Sequence, residues 1–577
     1  MKEREVLMIF KTHLDVGFTD LSRNIMDKYM NTYIPNAIKV GYELKGTSTP
    51  FVWTVGSFLI WEALKNDADG SVDRAIRDGI LTWHALPFTT HTELMNEELF
   101  RLGLSLSGKL DARYGKKTIG AKMTDVPGHT IGMVPLMQQS GITMLHIGVN
   151  TATPVPPVPP AFRWKCGESE ITVLYQSDYG SSMEFDDFVI YFAHTNDNMG
   201  PQSKEQIIEI YNEVQKLYPG CALKAATLDD AARRVAEIKN LPVFEKEIGD
   251  TWIHGAGTDP QKISRYRRLL RHISENGVPE CDLSDSLLLV PEHTWGMDQK
   301  TFFRNETAFT AEELEACAEW RRPIEQSWQE QREYVAAAEK LMGVTPEYPI
   351  SQPELSGCVP TDTPEEPPFE ISWEIFDRSD YDRYLRDYVR LNENTADWAV
   401  WDFTRVGLPE YRGGIYTAKA VAAYRRNDEK LWRMEFDADA AAAYGLPWFF
   451  VRVASDSVEI RWFGKKISRL PQACWLKFRG MEEKWQLHKL GQWIDPYDVA
   501  GSPLISAVDR GVRNSHVEIR PIDSALVAPY GRRLLQYGCS CDAQDLYFNL
   551  YNNIWNTNFP IWYGDDAMFR FVVKNRC

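Results

Sequence analysis

Phe10-Lys-Thr-His-Leu-Asp-Val-Gly-Phe18 offers an imidazole, His13, and a carboxylate, Asp15, from one short segment. That pair suits a borderline divalent cation such as zinc, and Gly17 behind it permits close backbone approach. Taken alone, the motif is equally well explained by His13 capping a strand end and Asp15 opening a turn. Two further segments add donors. Met123-Thr-Asp-Val-Pro-Gly-His-Thr130 sets Asp125 ahead of a Pro-Gly turn, and Leu287-Leu-Leu-Val-Pro-Glu-His293 sets His293 just past a strongly apolar run. Asp125 on its own would also serve as a helix cap. Together, two imidazoles and two carboxylates are enough for a four-ligand site with a position open to substrate.

Such donors need a frame that brings them to one place. The continuous apolar run Val6 to Phe10 reads as a strand covered on both faces, as do Thr143 to Val149 and Phe188 to Phe192. If the first strand ends near Thr12, His13 and Asp15 emerge on the same side at its carboxyl edge, where α/β folds keep their sites. Helical patterns lie between the runs, at Ser203 to Leu217, Leu228 to Ile238 and Pro260 to His272. This alternation predicts an α/β domain with a mostly parallel sheet or barrel over residues 1–280. From 281 to 344 the pattern turns helical, with Thr310 to Trp320 and Ile324 to Leu341 rich in helix formers, and predicts a small bundle. Residues 345–368 are proline-rich and read as a linker. Residues 369–577 carry aromatic and β-branched runs such as Trp448 to Val453, Val458 to Phe463 and Met568 to Val573, predicting a β-sandwich-rich carboxy-terminal domain.

Composition narrows the partners. A formal charge of -17 on 577 residues argues against nucleic acid or an anionic membrane surface, and a neutral, polyhydroxylated partner fits better. No apolar stretch approaches the length needed to cross a bilayer. Nine scattered cysteines do not read as a disulfide framework, so a reducing cytoplasm is the expected location. Assembly as a homo-oligomer is compatible with all of this. Near the end, Asn552-Asn-Ile-Trp-Asn-Thr-Asn-Phe-Pro-Ile-Trp-Tyr563 concentrates amides and aromatics, a chemistry that serves sugar binding and a sandwich core turn equally.

The order Thr12-His-Leu-Asp-Val-Gly-Phe18, Asp125-Val-Pro-Gly-His-Thr130 and Leu288-Leu-Val-Pro-Glu-His293 resembles the amino-terminal domain of the glycoside hydrolase family 38 α-mannosidases through roughly the first half of the chain. The resemblance implies a seven-stranded β/α barrel-like catalytic domain and one zinc ion held by His13, Asp15, Asp125 and His293. It implies Asp125 as nucleophile of a retaining mechanism, kept ionised by the metal. Val189-Ile-Tyr-Phe-Ala-His-Thr-Asn-Asp-Asn198 is similar to the family's general-acid loop, which makes Asp197 the candidate acid and base; a turn role for Asp197 stands beside it. Phe18 replaces the family's usual tryptophan as a ring for the sugar to stack on. Thr251-Trp-Ile-His-Gly-Ala-Gly-Thr258 resembles a pocket loop, which puts Trp252 and His254 among substrate-binding candidates. Thr294 and Trp295 stand where mannosidases usually carry an aspartate, which bears on which sugar is taken.

The function expected is a zinc-dependent glycosidase of α-mannosidase type acting on small oligosaccharides or glycosides. Two alternatives remain: a metal-dependent amidase or deacetylase, in which the metal activates water, and a non-catalytic sugar-binding protein. Asp197 separates the first two, since metal-assisted amide hydrolysis needs no distant carboxylic acid opposite a nucleophilic carboxylate.

Overall fold

The computed structural model describes residues 4–303, 305–361, 366–481, 483–538 and 545–576. The chain divides into two compact units. One comprises residues up to 91, 99–248 and 292–294, and the other comprises 92–98, 249–291 and 295 onward.

The first unit is α/β. Its strands are β1 (Glu5–His13), β2 (Trp53–Gly56), β3 (Leu81–His84), β4 (Gly120–Asp125), β5 (Met144–Val149), β6 (Ala161–Cys166), β7 (Ser169–Gln176), β8 (Ser182–Glu184), β9 (Phe188–Asp197), β10 (Ala222–Ala225) and β11 (Val243–Phe244). Described pairings give two sheets. One runs β3-β2-β1-β9-β8, with β10 also pairing β1, and the other runs β11-β6-β7-β5-β4. Apart from the antiparallel β6–β7 and β8–β9 pairs, the neighbours are parallel. No closed barrel is formed by these pairings, although the Ala85 amide, just past β3, donates to Gly120 O of β4 at 3.0 Å.

Burial on both faces explains why β1 is a continuous apolar run: Val6 to Phe10 are all at most 1 % exposed. Its Leu7 and Ile9 join Met144, Leu174, Ile190 and Phe192 in one core cluster, against Leu228, Ala231 and Val235 of the helix Leu228–Val235. That helix opens with a capping box at Thr227, and the helix Lys204–Leu217 opens with another at Ser203.

The second unit is built on antiparallel β-structure. A large sheet includes the meander Lys419–Arg426, Glu429–Glu435, Trp448–Ala454, Ser457–Phe463 and Ala567–Asn575, and a smaller one includes Phe369–Ile375, Gln472–Phe478 and Tyr547–Asn552. Their facing side chains, among them Trp373, Trp462, Phe548 and Phe569, form one large core. The helices Pro260–Asn276 and Ala318–Met342 belong to this unit too. Within 345–368, Val359–Pro360 forms a short edge strand that pairs with Lys419–Arg426, while residues 362–365 lie outside the described residues. Pro360 is tolerated there because an edge position needs no ladder donor from it. No helix among the described residues is long and apolar enough to cross a membrane.

Candidate metal centre

His13 ends β1, and the chain then turns through Gly17 (φ 137°) and Phe18 (φ 61°), a left-handed pair that only the glycine adopts without strain. β9 matches β1 residue for residue until Thr12, where the register slips by one, so that Asp197 pairs with His13. Such a slip re-aims side chains at a strand end. Asn198, itself at φ 52°, fastens the turn: its Oδ1 accepts from the Asp15 amide (3.1 Å) and its Nδ2 donates to Gly17 O (3.0 Å). Asp125 ends β4 at φ 87°, a strained conformation for a residue with a Cβ. His293 reaches the first unit through the short return 292–294, where its amide donates to Thr89 O (3.3 Å) and Glu292 bridges to Thr90.

These paths bring four donors together. Ligand atoms of His13, Asp15, Asp125 and His293 lie within 4.8 Å of one another, and all four residues are buried. His13 Nε2 is 3.1 Å from His293 Nε2 and 3.2 Å from Asp15 Oδ1; His293 Nε2 is 3.0 Å from Asp15 Oδ1 and 3.4 Å from Asp125 Oδ2. Tetrahedral donors at about 2.1 Å from a zinc-sized cation stand roughly 3.4 Å apart, so these spacings fit one. The tautomers fit as well. His13 Nδ1 lies 2.7 Å from Thr124 Oγ1 and His293 Nδ1 2.6 Å from Glu292 Oε1, so the Nε2 atoms are the ring nitrogens that face inward and would meet a cation once deprotonated. Asp15 Oδ2 is buried with no hydrogen-bond partner among the described residues, an orphan that a cation satisfies.

The electrostatics point the same way. Burial opposes ionisation of Asp15, yet the His13 and His293 imidazoles outweigh it and hold the carboxyl below its ordinary range. Burial likewise works against protonation of His293, but Glu292, Asp125 and Asp15 together raise its pKa well above normal. Asp15, Asp125 and Glu292 concentrate negative charge here, which a divalent cation would offset.

Further side chains shape the site without having been evident in the sequence. The Tyr179 hydroxyl and the Asn150 amide (3.1 Å) both donate to Asp125 Oδ1, leaving Oδ2 on the His293 side. The Tyr179 ring lies 4.9 Å from that of His13, and its backbone carbonyl accepts from Lys11 Nζ. Lys122 Nζ donates to Thr12 O (3.0 Å) and Thr124 Oγ1 (3.2 Å), and burial lowers its pKa to about 7. A warning in the sequence was polarity at strand positions that are buried, among them Lys11 just past the apolar run Val6 to Phe10 and Lys122 between Ala121 and Met123.

Of the other candidates, Asp197 is half-buried at the end of β9 opposite His13, and Phe18 is half-buried on the turn after Asp15. Thr294 Oγ1 donates to Asp15 Oδ1 at 3.3 Å, and the Thr294 amide donates to Glu292 Oε2 at 3.0 Å. Trp252, His254 and Trp295 belong to the second unit and are buried there. The rings of Trp252 and His254 lie 5.1 Å and 4.7 Å from Trp555, and Trp295 lies 5.5 Å from Phe559.

An α-mannosidase from Enterococcus faecalis V583 superposes on the whole of this chain and on 87 % of its own, with a TM-score of 0.63 and 10 % identity. A glycosyl hydrolase family 38 protein from Enterococcus faecalis superposes likewise, covering 86 % of that chain, with a TM-score of 0.57 and 9 % identity. The chain has the family 38 fold. At this identity the likeness is one of architecture, and this chain is a divergent example of it. No curated protein matches in sequence. Residues 256–358 match a family described as "Domain of unknown function (DUF5054)". The family 38 fold thus carries here a buried two-histidine, two-aspartate cluster.

Proposed function

We propose that this chain is a zinc-dependent retaining glycoside hydrolase of α-mannosidase type, acting on terminal sugars of small oligosaccharides or glycosides. The observation that carries the reading is the preformed cluster of His13 and Asp15 at the end of β1 and just past it, Asp125 at the end of β4 and His293 on the return 292–294, in a fold shared with an α-mannosidase. These four residues would hold the cation. The chemistry it supplies is coordination of sugar hydroxyls, which orients the ring.

The chain's own groups do the bond-making. Tyr179 and Asn150 hold the Asp125 carboxylate in one orientation. One of its oxygens bonds the anomeric carbon as the glycosidic C–O bond breaks, and Asp197 gives its proton to the departing oxygen. Asp197 then takes a proton from water, whose oxygen displaces Asp125 and frees the sugar with its original anomeric configuration. Phe18 offers a ring face to the sugar, and the Thr294 hydroxyl, bonded to Asp15, stands beside the donors.

Aryl α- and β-mannosides, offered to the zinc-loaded and the chelator-stripped protein, test the reading directly. Turnover of the α-anomer that disappears on stripping and returns with zinc is expected, with retention visible by NMR of the first-formed product. Asp125→Ala should lose activity by at least about 10³-fold. Asp197→Ala should keep far more activity on aryl groups that leave without a proton than on alkyl glycosides. Equal loss on both substrates removes Asp197 from the acid role, and an Asp125→Ala variant that retains full activity overturns the mechanism.

A further inference from the structure

The second unit contains an open pocket of about 330 Å³, at the lower end of the roughly 300–1,000 Å³ range of small-molecule sites. One wall is a single face of the helix Ala318–Met342. Glu325, Trp328, Gln329 and Arg332 follow one another at helical spacing along it, and all four line the pocket. The other wall is Pro560, Trp562 and Tyr563, the end of the amide- and aromatic-rich segment singled out in the sequence, together with Gly564 and Asp565 just beyond it.

The polar groups on these walls are fixed before any ligand arrives. Arg332 is held in a fork by Asp259 (2.7 and 3.1 Å) and by Asp565 (2.9 Å). Glu325 accepts from the Trp562 indole N–H at 3.0 Å and pairs with Arg321 at 3.1 Å. Each carboxylate on these walls has a guanidinium contact, but Arg332 serves both Asp259 and Asp565 and Arg321 is shared with Glu315, so the walls keep a surplus of negative charge that disfavours an anion. Glu325 and Asp565 nevertheless keep side chains 37 % and 54 % exposed, with acceptor lone pairs to spare. Gln329 is exposed and adds both a donor and an acceptor. Trp328 is only 7 % exposed, and its indole N–H has no acceptor among the described residues. Pre-oriented carboxylate and amide groups, with Trp328, Trp562 and Pro560 packed into the walls behind them, match a ring that carries hydroxyls on its rim and C–H bonds on its faces.

We infer that this pocket is a second saccharide-binding site, taking an uncharged mono- or disaccharide and independent of the metal centre. The inference rests on the second unit alone and stands whether or not the first unit is a glycosidase.

The test uses the full chain with mannobiose and maltose as probes, followed by calorimetry and by hydrogen–deuterium exchange of peptides covering 321–334 and 558–566. At least one probe should bind and protect both peptides. Gln329→Ala and Asp565→Ala, which leave Arg332 its fork to Asp259, should each weaken that binding by about tenfold or more. Both variants should leave aryl-mannoside turnover unchanged, and Asp125→Ala should leave the protection unchanged. Absence of protection with both probes at concentrations on the order of 10 mM overturns the inference. So does protection confined to peptides around His13 and Asp125 and lost in Asp125→Ala, a result that leaves the proposed hydrolase intact. Conversely, full turnover by Asp125→Ala removes the proposed mechanism and leaves this pocket untouched.

Discussion

Tyr179 shows how much of the site depends on groups that are not ligands. It donates to Asp125 and packs its ring on His13, so one side chain restrains two of the four donors. Tyr179→Phe keeps the ring but drops the hydrogen bond. We expect zinc affinity to fall by roughly 10- to 100-fold, the usual cost of losing a ligand's outer partner, as measured by competition with a chromophoric chelator. Unchanged affinity would mean that Asn150 alone orients Asp125. The raised pKa of His293 makes a second demand. Without metal, its three carboxylate neighbours keep the imidazole protonated at neutral pH; as a ligand it must be neutral at Nε2. Metal binding should therefore release about one proton from His293. Calorimetry in buffers of different ionisation enthalpy reads that number, and affinity should weaken as pH falls. Zero release contradicts the assignment of His293 as a ligand. The four candidate donors that the fold brings together were legible in the sequence, because a His-x-Asp at the end of an apolar run and an Asp before Pro-Gly are local patterns. Thr124, Asn150, Tyr179 and Glu292 were not, since each acquires its role from a partner that only the fold brings near.

At the scale of elements, hydrophobic period located most of the pieces. The runs at Val6, Thr143 and Phe188 are β1, β5 and β9, and the helical stretches at Ser203, Leu228 and Pro260 are helices. What the period could not carry was lateral order: the short β2 and β10 both lie against β1, and the slip between β1 and β9 that sets Asp197 opposite His13 leaves no mark in either strand's composition. The β-rich core hides a different exception. Lys465 is 3 % exposed, with its ammonium 5.6 Å from the centre of the Trp373 ring and donating a hydrogen bond to Lys466 O (2.6 Å). Burial lowers its pKa from 10.5 to about 7. Above pH 10.5 the folded and unfolded chains are both neutral there, and below about 7 both are charged. Between those limits only the unfolded chain binds the proton, so stability contributed at this position rises with pH, by up to about 1.4 kcal/mol per unit. Lys465→Met should raise the melting temperature at pH 7 and flatten the rise toward pH 10. A variant that melts lower and keeps the wild-type pH slope would show that the ammonium is well solvated.

At the scale of the whole molecule, chain order and compact units do not coincide. The helical stretch 249–291 belongs with the β-rich unit, yet the chain comes back for three residues, Glu292 to Thr294, and those three supply His293, a candidate metal donor, and the carboxylate beside its Nδ1. Composition along the sequence marks where helices give way to strands, but not a three-residue return, which is too short to have a composition. The ligand set therefore spans residues 13 to 293, and a cation that joins them closes a loop of nearly 280 residues. Loop closure costs entropy that grows only slowly with length, so binding free energy is available to stabilise the first unit against unfolding. Chelation should lower the melting transition that reports the first unit, in proportion to the logarithm of metal concentration, and zinc should restore it. A chain ended after residue 280 retains the α/β strands and three donors but lacks Glu292 and His293. Its zinc affinity should fall by at least about 100-fold, beyond what losing an outer partner costs, and its melting should no longer respond to metal. Because such a truncation also removes most of the second unit, full-length His293→Ala is the decisive companion: it should reproduce the lost metal response while its metal-free melting stays close to that of the stripped wild type. A metal response that survives in His293→Ala would place the cation on His13, Asp15 and Asp125 alone.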